Sequence, residues 1–361
     1  KERRERRERS RSDRCGQKSL DHKTLDIQSV MPSAWQSPSP PHPRVGDEIC
    51  VAGQWIHTDC SNKVVTWIDV GGFDAYAVTP ELPLGTAPGA TATQLNVAEN
   101  QPGVKGPVVR YGSRRLKQSS STSSQPASPP RGPAGALVTD LSDLRKVITQ
   151  LVIHHDGCGT SKKCFKVLHE ERGLSCHFLI DVDGRIFQTL DLMERAWHAT
   201  DANDVSIGVE LASLGAFREP EDVAITPFDV TDSDNCIEGR DFVRGEINGD
   251  VYVQQPYTDK QMDSVTKLYA TLLKTFPYLK LGYPLEDEQL ESDGSNDAEK
   301  VFMTYQQVLN EKLTDERRRN FCGALGHFHV QRSKCDPGPA IDWGALVVKT
   351  KELLGDEVQG K

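Results

Sequence analysis

An α/β layer fold is what this sequence predicts, and three observations carry the prediction. Short β-prone apolar runs, VITQLVIH (147–154) and VSIGVELA (205–212), have the length and composition of buried strands. A long amphipathic stretch, 258–275, has helical periodicity. Strands and helices alternate along the chain instead of segregating, which implies helices layered on a sheet.

The elements follow in order. Residues 1–14, KERRERRERSRSDR, hold eight basic and four acidic side chains, a run expected to be solvated. The stretch continues to a Pro-rich end, and 1–44 is expected to be a disordered basic arm. From 45 to 83, short β-prone runs broken by Gly and Asp predict a small β element, too short to be stable alone. Residues 84–136, containing SSSTSSQPASPPRGPAG, are expected to form a flexible linker.

The main domain is expected over 137–356. Ser161–Arg172 has Phe165, Leu168 and His169 at helical spacing. CHFLIDVDGRIFQTL reads as two strands joined by a turn at Asp183-Gly184. Thr258 is the expected N-cap of the long helix and Gln261 its capping-box partner. Its apolar face is Met262, Val265, Leu268, Tyr269, Leu272 and Leu273. Two polar, acidic segments near 214–250 and 284–320 read as insertions.

Charge excludes some functions. The 43 Lys+Arg against 52 Asp+Glu give a net charge of -9, which argues against wholesale binding of nucleic acid or an anionic membrane. No apolar run approaches the ~20 residues that span a bilayer. No signal peptide is visible in these residues. The nine cysteines are too sparse for a disulfide scaffold, and they form no CxxC pair.

Three places concentrate chemistry. Ile153-His154-His155-Asp156 ends an apolar strand, and alternation lets only one of the two histidines join any given site. Periodicity does not choose between them. Gly326-His327-Phe328-His329 and Lys334-Cys335-Asp336-Pro337-Gly338-Pro339 follow later, with His and Asp nine residues apart. A strand-end His with this His and carboxylate makes a set that zinc accepts, with a fourth position left open for water. Glu210, inside the apolar strand SIGVELA, is either paired or working as a base.

These residues resemble a known family. LVIHHDG, SCHFLIDVDGRIFQTL, ERAWHA, SIGVELA and GHFHVQRSKCDPGPAIDW occur in the order of the zinc-dependent N-acetylmuramoyl-L-alanine amidases of the type-2 family, whose superfamily includes the peptidoglycan-recognition proteins. The resemblance covers about 147–213 and 258–343 and leaves 1–140 outside. It implies a mixed central β-sheet flanked by helices. It also implies Zn2+ held by His154, His327 and Asp336, with Glu210 as general base and Lys334 stabilising the transition state. His198 and Trp197 of the AWHA block are expected to line the substrate groove. The Cys158–Cys164 spacing resembles a disulfide position of the recognition proteins. Cys335 competes with Asp336 as third ligand, and His329 with His327.

The implied activity is hydrolysis of the amide between N-acetylmuramic acid and L-alanine in bacterial peptidoglycan or muropeptides. The alternative is a non-catalytic peptidoglycan-binding module on the same fold. Retention of the two His, the Asp, the Glu and the Lys favours the enzyme. A monomer is expected, and the substrate and cysteine spacing slightly favour the cell envelope or periplasm over the cytoplasm.

Overall fold

Residues 44–60, 63–77, 110–116, 135–218, 242–286 and 308–355 are described by the structure, a computed structural model. The N-terminal part supplies strands Glu48–Val51 (β1), Gln54–His57 (β2), Val64–Thr66 (β3) and Tyr111–Ser113 (β4). There follow helix Leu141–Arg145 (α1), strand Gln150–His155 (β5) and helix Ser161–Phe165 (α2), which runs on as a π-helical turn over Lys166–Glu171. Strands Phe178–Ile180 (β6), Ile186–Gln188 (β7) and Glu194–Ala196 (β8) precede a 3-10 turn over Thr200–Asp204 and strand Ser206–Leu211 (β9). Next come Ala216–Arg218 (β10), Val243–Ile247 (β11), Asp250–Gln254 (β12) and helix Asp259–Thr275 (α3). Helix Asp315–Asn320 (α4), strand Gly323–Gly326 (β13) and helices His327–Val330 (α5) and Trp343–Leu354 (α6) complete the described chain.

Six strands form the central sheet in the order β13-β5-β9-β6-β7-β3. The first four are mutually parallel, β7 is antiparallel to β6, and β3 is parallel to β7. The expected mixed sheet is therefore present. β5 and β9 lie in its interior, where both faces are covered, which is why both read as continuous apolar runs. The β6–β7 hairpin turns at Asp183-Gly184 as the sequence predicts. α3 carries the expected capping box: Gln261 N–H donates to Thr258 Oγ1, and Thr258 N–H donates to Gln261 Oε1. Loss of such a cap costs about 0.5–2 kcal/mol. The helix also packs against α6.

Within 45–83 lie β1–β3, and β3 pairs with β7 as the edge strand of the central sheet. One expectation needs correction. The 84–136 segment is not wholly a linker, since its residues 110–116 are built into the domain. There β4 pairs antiparallel with β8, and Arg110 and Arg114 are both 1% exposed. Arg114 is held by the carbonyls of Leu192, Asn203, Asp204 and Ser206. A run of backbone acceptors replaces the water that a buried guanidinium gives up. The expected arm falls outside the described residues except at residue 44.

Candidate active site

The site forms where parallel strands end together. Gly326 of β13 lies level with Ile153 of β5, so His327 follows its strand at the height of His154. On the other side of β5, His154 is in register with Glu210 of β9. Adjacent strands lie about 4.8 Å apart, so the two side chains stand beside each other on one face of the sheet. Asp336 reaches the same point from the loop after α5, where its carbonyl accepts from Phe328 N–H at 3.1 Å.

Three atoms converge here. His154 Nδ1 is 3.1 Å from His327 Nδ1 and 2.7 Å from Asp336 Oδ2, and His327 Nδ1 is 2.9 Å from the same oxygen. The outward nitrogens bear on what these inner atoms are. His327 Nε2 lies 2.7 Å from Gln331 Oε1, an acceptor, so Nε2 carries the proton and Nδ1 presents a lone pair. His154 Nε2 lies 3.0 Å from His198 Nδ1, and His198 Nε2 lies 3.3 Å from Ser206 Oγ. With the proton of His154 on Nε2, its Nδ1 is an acceptor too. Burial, ahead of the opposing pull of Asp336, brings His154 down to about 4 and so keeps it neutral at pH 7. For Asp336, burial acts upward, but His327 and His154 outweigh it and hold the carboxyl well below its ordinary value.

With both Nδ1 lone pairs turned inward, the three atoms form a group that could hold a cation. Ligand atoms of a tetrahedral zinc site with bonds near 2.0–2.1 Å stand about 3.3 Å apart, so this set fits zinc after a small outward movement. Among the described residues, His154, His327 and Asp336 are the one group of this kind. Glu210 is 8% exposed, and its Oε2 has no hydrogen-bond partner. Burial, then Asp336 and Asp156, raise its carboxyl well above the ordinary range, while the Lys334 charge acts in the opposite direction.

The structure separates the competing residues. His155 points away from His154, with Nε2 accepting from Ala216 N–H at 3.3 Å and lying 3.9 Å from Cys335 Sγ. Cys335 thus turns from the cluster that Asp336 joins. His329 is fully buried elsewhere: Nδ1 accepts from Gly326 N–H, and Nε2 donates to the Leu309 carbonyl. Three expectations fare differently. His198 is half-buried beside His154, its ring packed so closely on Gly208 that a Cβ there would lie 2.7 Å from it. Trp197 is 6% exposed, with its backbone paired to Ser175 and its indole next to Gly112. Cys158 and Cys164 are free thiols; Cys164 packs with Cys176, Leu179 and Phe187, and Cys158 lies against that apolar cluster.

Gln331 was missed by the sequence reading. Its spacing of four from His327 on a helical turn was the available signal.

Residues 144–339 match the family model described as N-acetylmuramoyl-L-alanine amidase. A search of curated proteins gave no match. Among solved structures, a selenomethionine derivative of AmpD is 16% identical, with 57% of this chain and 87% of that one covered and a TM-score of 0.30. AmpDH3 from Pseudomonas aeruginosa in complex with anhydromuramic pentapeptide is 17% identical over 65% of each chain, with a TM-score of 0.33. The N-acetylmuramyl-L-alanine amidase AmiD from E. coli, in complex with anhydro-N-acetylmuramic acid-L-Ala-D-gamma-Glu-L-Lys, is 19% identical over 56% of this chain and 57% of that one, with a TM-score of 0.33. The family match spans more than half of the 361 residues, and the chain belongs to the N-acetylmuramoyl-L-alanine amidase family.

Proposed function

We propose that the protein hydrolyses the amide between the lactyl group of N-acetylmuramic acid and L-alanine, in peptidoglycan or its muropeptide fragments, with zinc held by His154, His327 and Asp336. The observation that carries this reading is the set of three convergent acceptors beside a buried carboxylate with an unpartnered oxygen. Zinc, when bound, supplies the Lewis acidity that polarises an amide carbonyl and acidifies water. Glu210, pushed towards its neutral form by burial, would be favoured in its ionised form once the site held a dication.

The chain's own groups do the rest. Gln331 and His198 accept the outward N–H of His327 and His154, which fixes both rings and aims both Nδ1 lone pairs inward. Glu210 takes a proton from the attacking water at Oε2 and delivers it to the leaving nitrogen of L-alanine. Water adds to the lactyl carbonyl carbon, the C–N bond breaks, and the products are a carboxylic acid and an amine. Lys334 supplies positive charge towards the oxygen that becomes negative as water adds. The buried setting strengthens that interaction by lowering the local dielectric.

The test uses purified protein with a defined muropeptide. The expected products carry a new free L-alanine amine, and turnover is lost on chelation and restored by zinc. Binding of muropeptide without hydrolysis by the zinc-loaded protein would overturn the reading and identify a binding module.

A further inference from the structure

The acidic segment 214–250 was expected to be an insertion on the core, yet its strands meet the loop that carries Lys334 and Asp336. β10, β12 and β11 form a three-stranded antiparallel sheet of their own. Asn248 sits at the turn between β11 and β12, with φ 54°, followed by Gly249 with φ 87°. Two left-handed residues in an Asn-Gly pair make the turn that a two-residue hairpin favours. The Asn248 side chain then does something the turn does not require. Its Nδ2 donates at 3.2 Å to the carbonyl of Arg332 and at 3.2 Å to that of Lys334, and its Oδ1 accepts from Lys312 N–H at 2.8 Å.

At the far end of β12, Gln254 is fully buried. Its Nε2 donates to the Pro337 carbonyl at 2.9 Å, and its Oε1 accepts from Ala340 N–H at 3.0 Å. The same Nε2 also donates to the Tyr257 hydroxyl, which itself donates to the Pro337 carbonyl at 2.6 Å. Sheet and loop touch closely: a Cβ on Gly245 would lie 2.7 Å from Pro339 Cβ.

We propose that the β10–β12–β11 sheet is a positioning element for the catalytic loop, with Asn248 fixing Lys334 and Gln254 fixing the turn that presents Asp336. The inference rests on the roles proposed above for Lys334 and Asp336. The loop lies outside the strands and helices, so its backbone polar groups depend on partners from elsewhere. The two amides grip it on either side of Asp336, at the carbonyl two residues before and the carbonyl one residue after. Lys334 acts at a distance set by its backbone, and displacements of about 1 Å are enough to cost up to ~100-fold in rate.

The experiment is a double-mutant cycle joined to a metal titration, on the full chain. Asn248→Gly keeps the turn conformation and removes the amide. Asn248→Asp keeps the acceptor for Lys312 and removes the donor to Lys334. Both should lower kcat by about 10- to 100-fold, with zinc affinity within about twofold of wild type. In a Lys334→Ala background the Asn248 substitutions should have no further effect, because the group they position is gone. Gln254→Leu should weaken zinc about 10- to 100-fold in competition with a chelator, a readout independent of turnover. Should Gln254→Leu not fold, Gln254→Glu serves, keeping the acceptor for Ala340 and losing the donor to Pro337.

Wild-type kcat in both Asn248 variants, or an equal fall with and without Lys334, overturns the Asn248 assignment. Unchanged zinc affinity in the Gln254 variants overturns the other half. If Lys334→Ala itself leaves kcat unchanged, the role given to Lys334 fails and the Asn248 assignment falls with it. That result is distinct from an additive cycle on a slow Lys334→Ala enzyme, which sinks the positioning proposal alone.

Discussion

Replacing His198 with Phe tests whether the site is held from behind. Phe keeps a ring of similar size over Gly208, where a Cβ would already be 2.7 Å from the imidazole, and so preserves the packing. It removes the acceptor 3.0 Å from His154 Nε2. His154 is 2% exposed, so no solvent replaces the lost partner. A buried donor left without an acceptor costs about 1–3 kcal/mol. If that cost falls on the ligating arrangement, zinc affinity drops by about 10- to 100-fold, the range typical of lost outer partners of metal-bound histidines. The assay is the zinc dissociation constant by chelator competition, with the melting temperature of the metal-free protein measured on the same preparation. The expected result is weakened zinc with little change in the metal-free melting point. His198→Gln, which offers an amide oxygen, should recover part of the affinity. Zinc binding by His198→Phe within about twofold of wild type would refute the claim that His198 orients His154.

His154→Ala or His327→Ala should abolish stoichiometric zinc and turnover together, checked by metal analysis and muropeptide hydrolysis; full zinc with normal turnover in either variant removes that histidine from the ligand set. Glu210→Gln should lower kcat by about 10²–10⁴-fold while zinc content and melting temperature stay near wild type. Wild-type kcat in that variant removes Glu210 from proton transfer. Glu194 is buried, and burial, then Asp191, raise its carboxyl to about 8. The unfolded chain releases this proton near pH 4.5 and the folded chain near 8, so this contribution to stability is present at low pH and fades between the two. Glu194→Gln should therefore gain melting temperature relative to wild type at pH 8 compared with pH 5. An equal difference at both pH values would show that Glu194 does not titrate in this way.

What was legible in the sequence was what local chemistry encodes. The capping box of Thr258 and Gln261 is a contact between residues three apart, and α3 begins where it predicts. β5 and β9 read as strands because both faces are buried, leaving no polar alternation to obscure them. The same uniformity hid which histidine of His154-His155 faces the site, and the family resemblance rather than periodicity chose His154. Arg110 and Arg114 fall in the stretch expected to be linker, because their backbone acceptors come from residues about 59 to 92 positions away. The direction of a ring nitrogen is still less visible. His198 was expected at the groove, and its contact with His154 Nε2 left no mark in the sequence.

The part of the chain outside the family match is mechanically joined to the site. Arg114 donates to the Ser206 carbonyl at 2.8 Å, and Ser206 Oγ lies 3.3 Å from His198 Nε2. His198 Nδ1 lies 3.0 Å from His154 Nε2, and His154 Nδ1 faces Asp336. Beside it, His177 Nε2 donates to the Glu194 carbonyl and Nδ1 accepts from Gly208 N–H, on the residue against which the His198 ring packs. Each link is buried or partly buried, so a lost partner is not readily replaced by water. On the opposite flank, Asn248 and Gln254 hold the loop that delivers Lys334 and Asp336. The four residues at the centre come from β5, β9, the start of α5 and a loop, and none of those elements alone fixes a side chain to within the few tenths of an ångström that metal ligation demands. Arg114 meets this network from one side through the Ser206 carbonyl, and Asn248 and Gln254 meet the loop from the other. The buried place of Arg114, in a region that composition alone marks as linker, goes with the core carbonyls that it bonds.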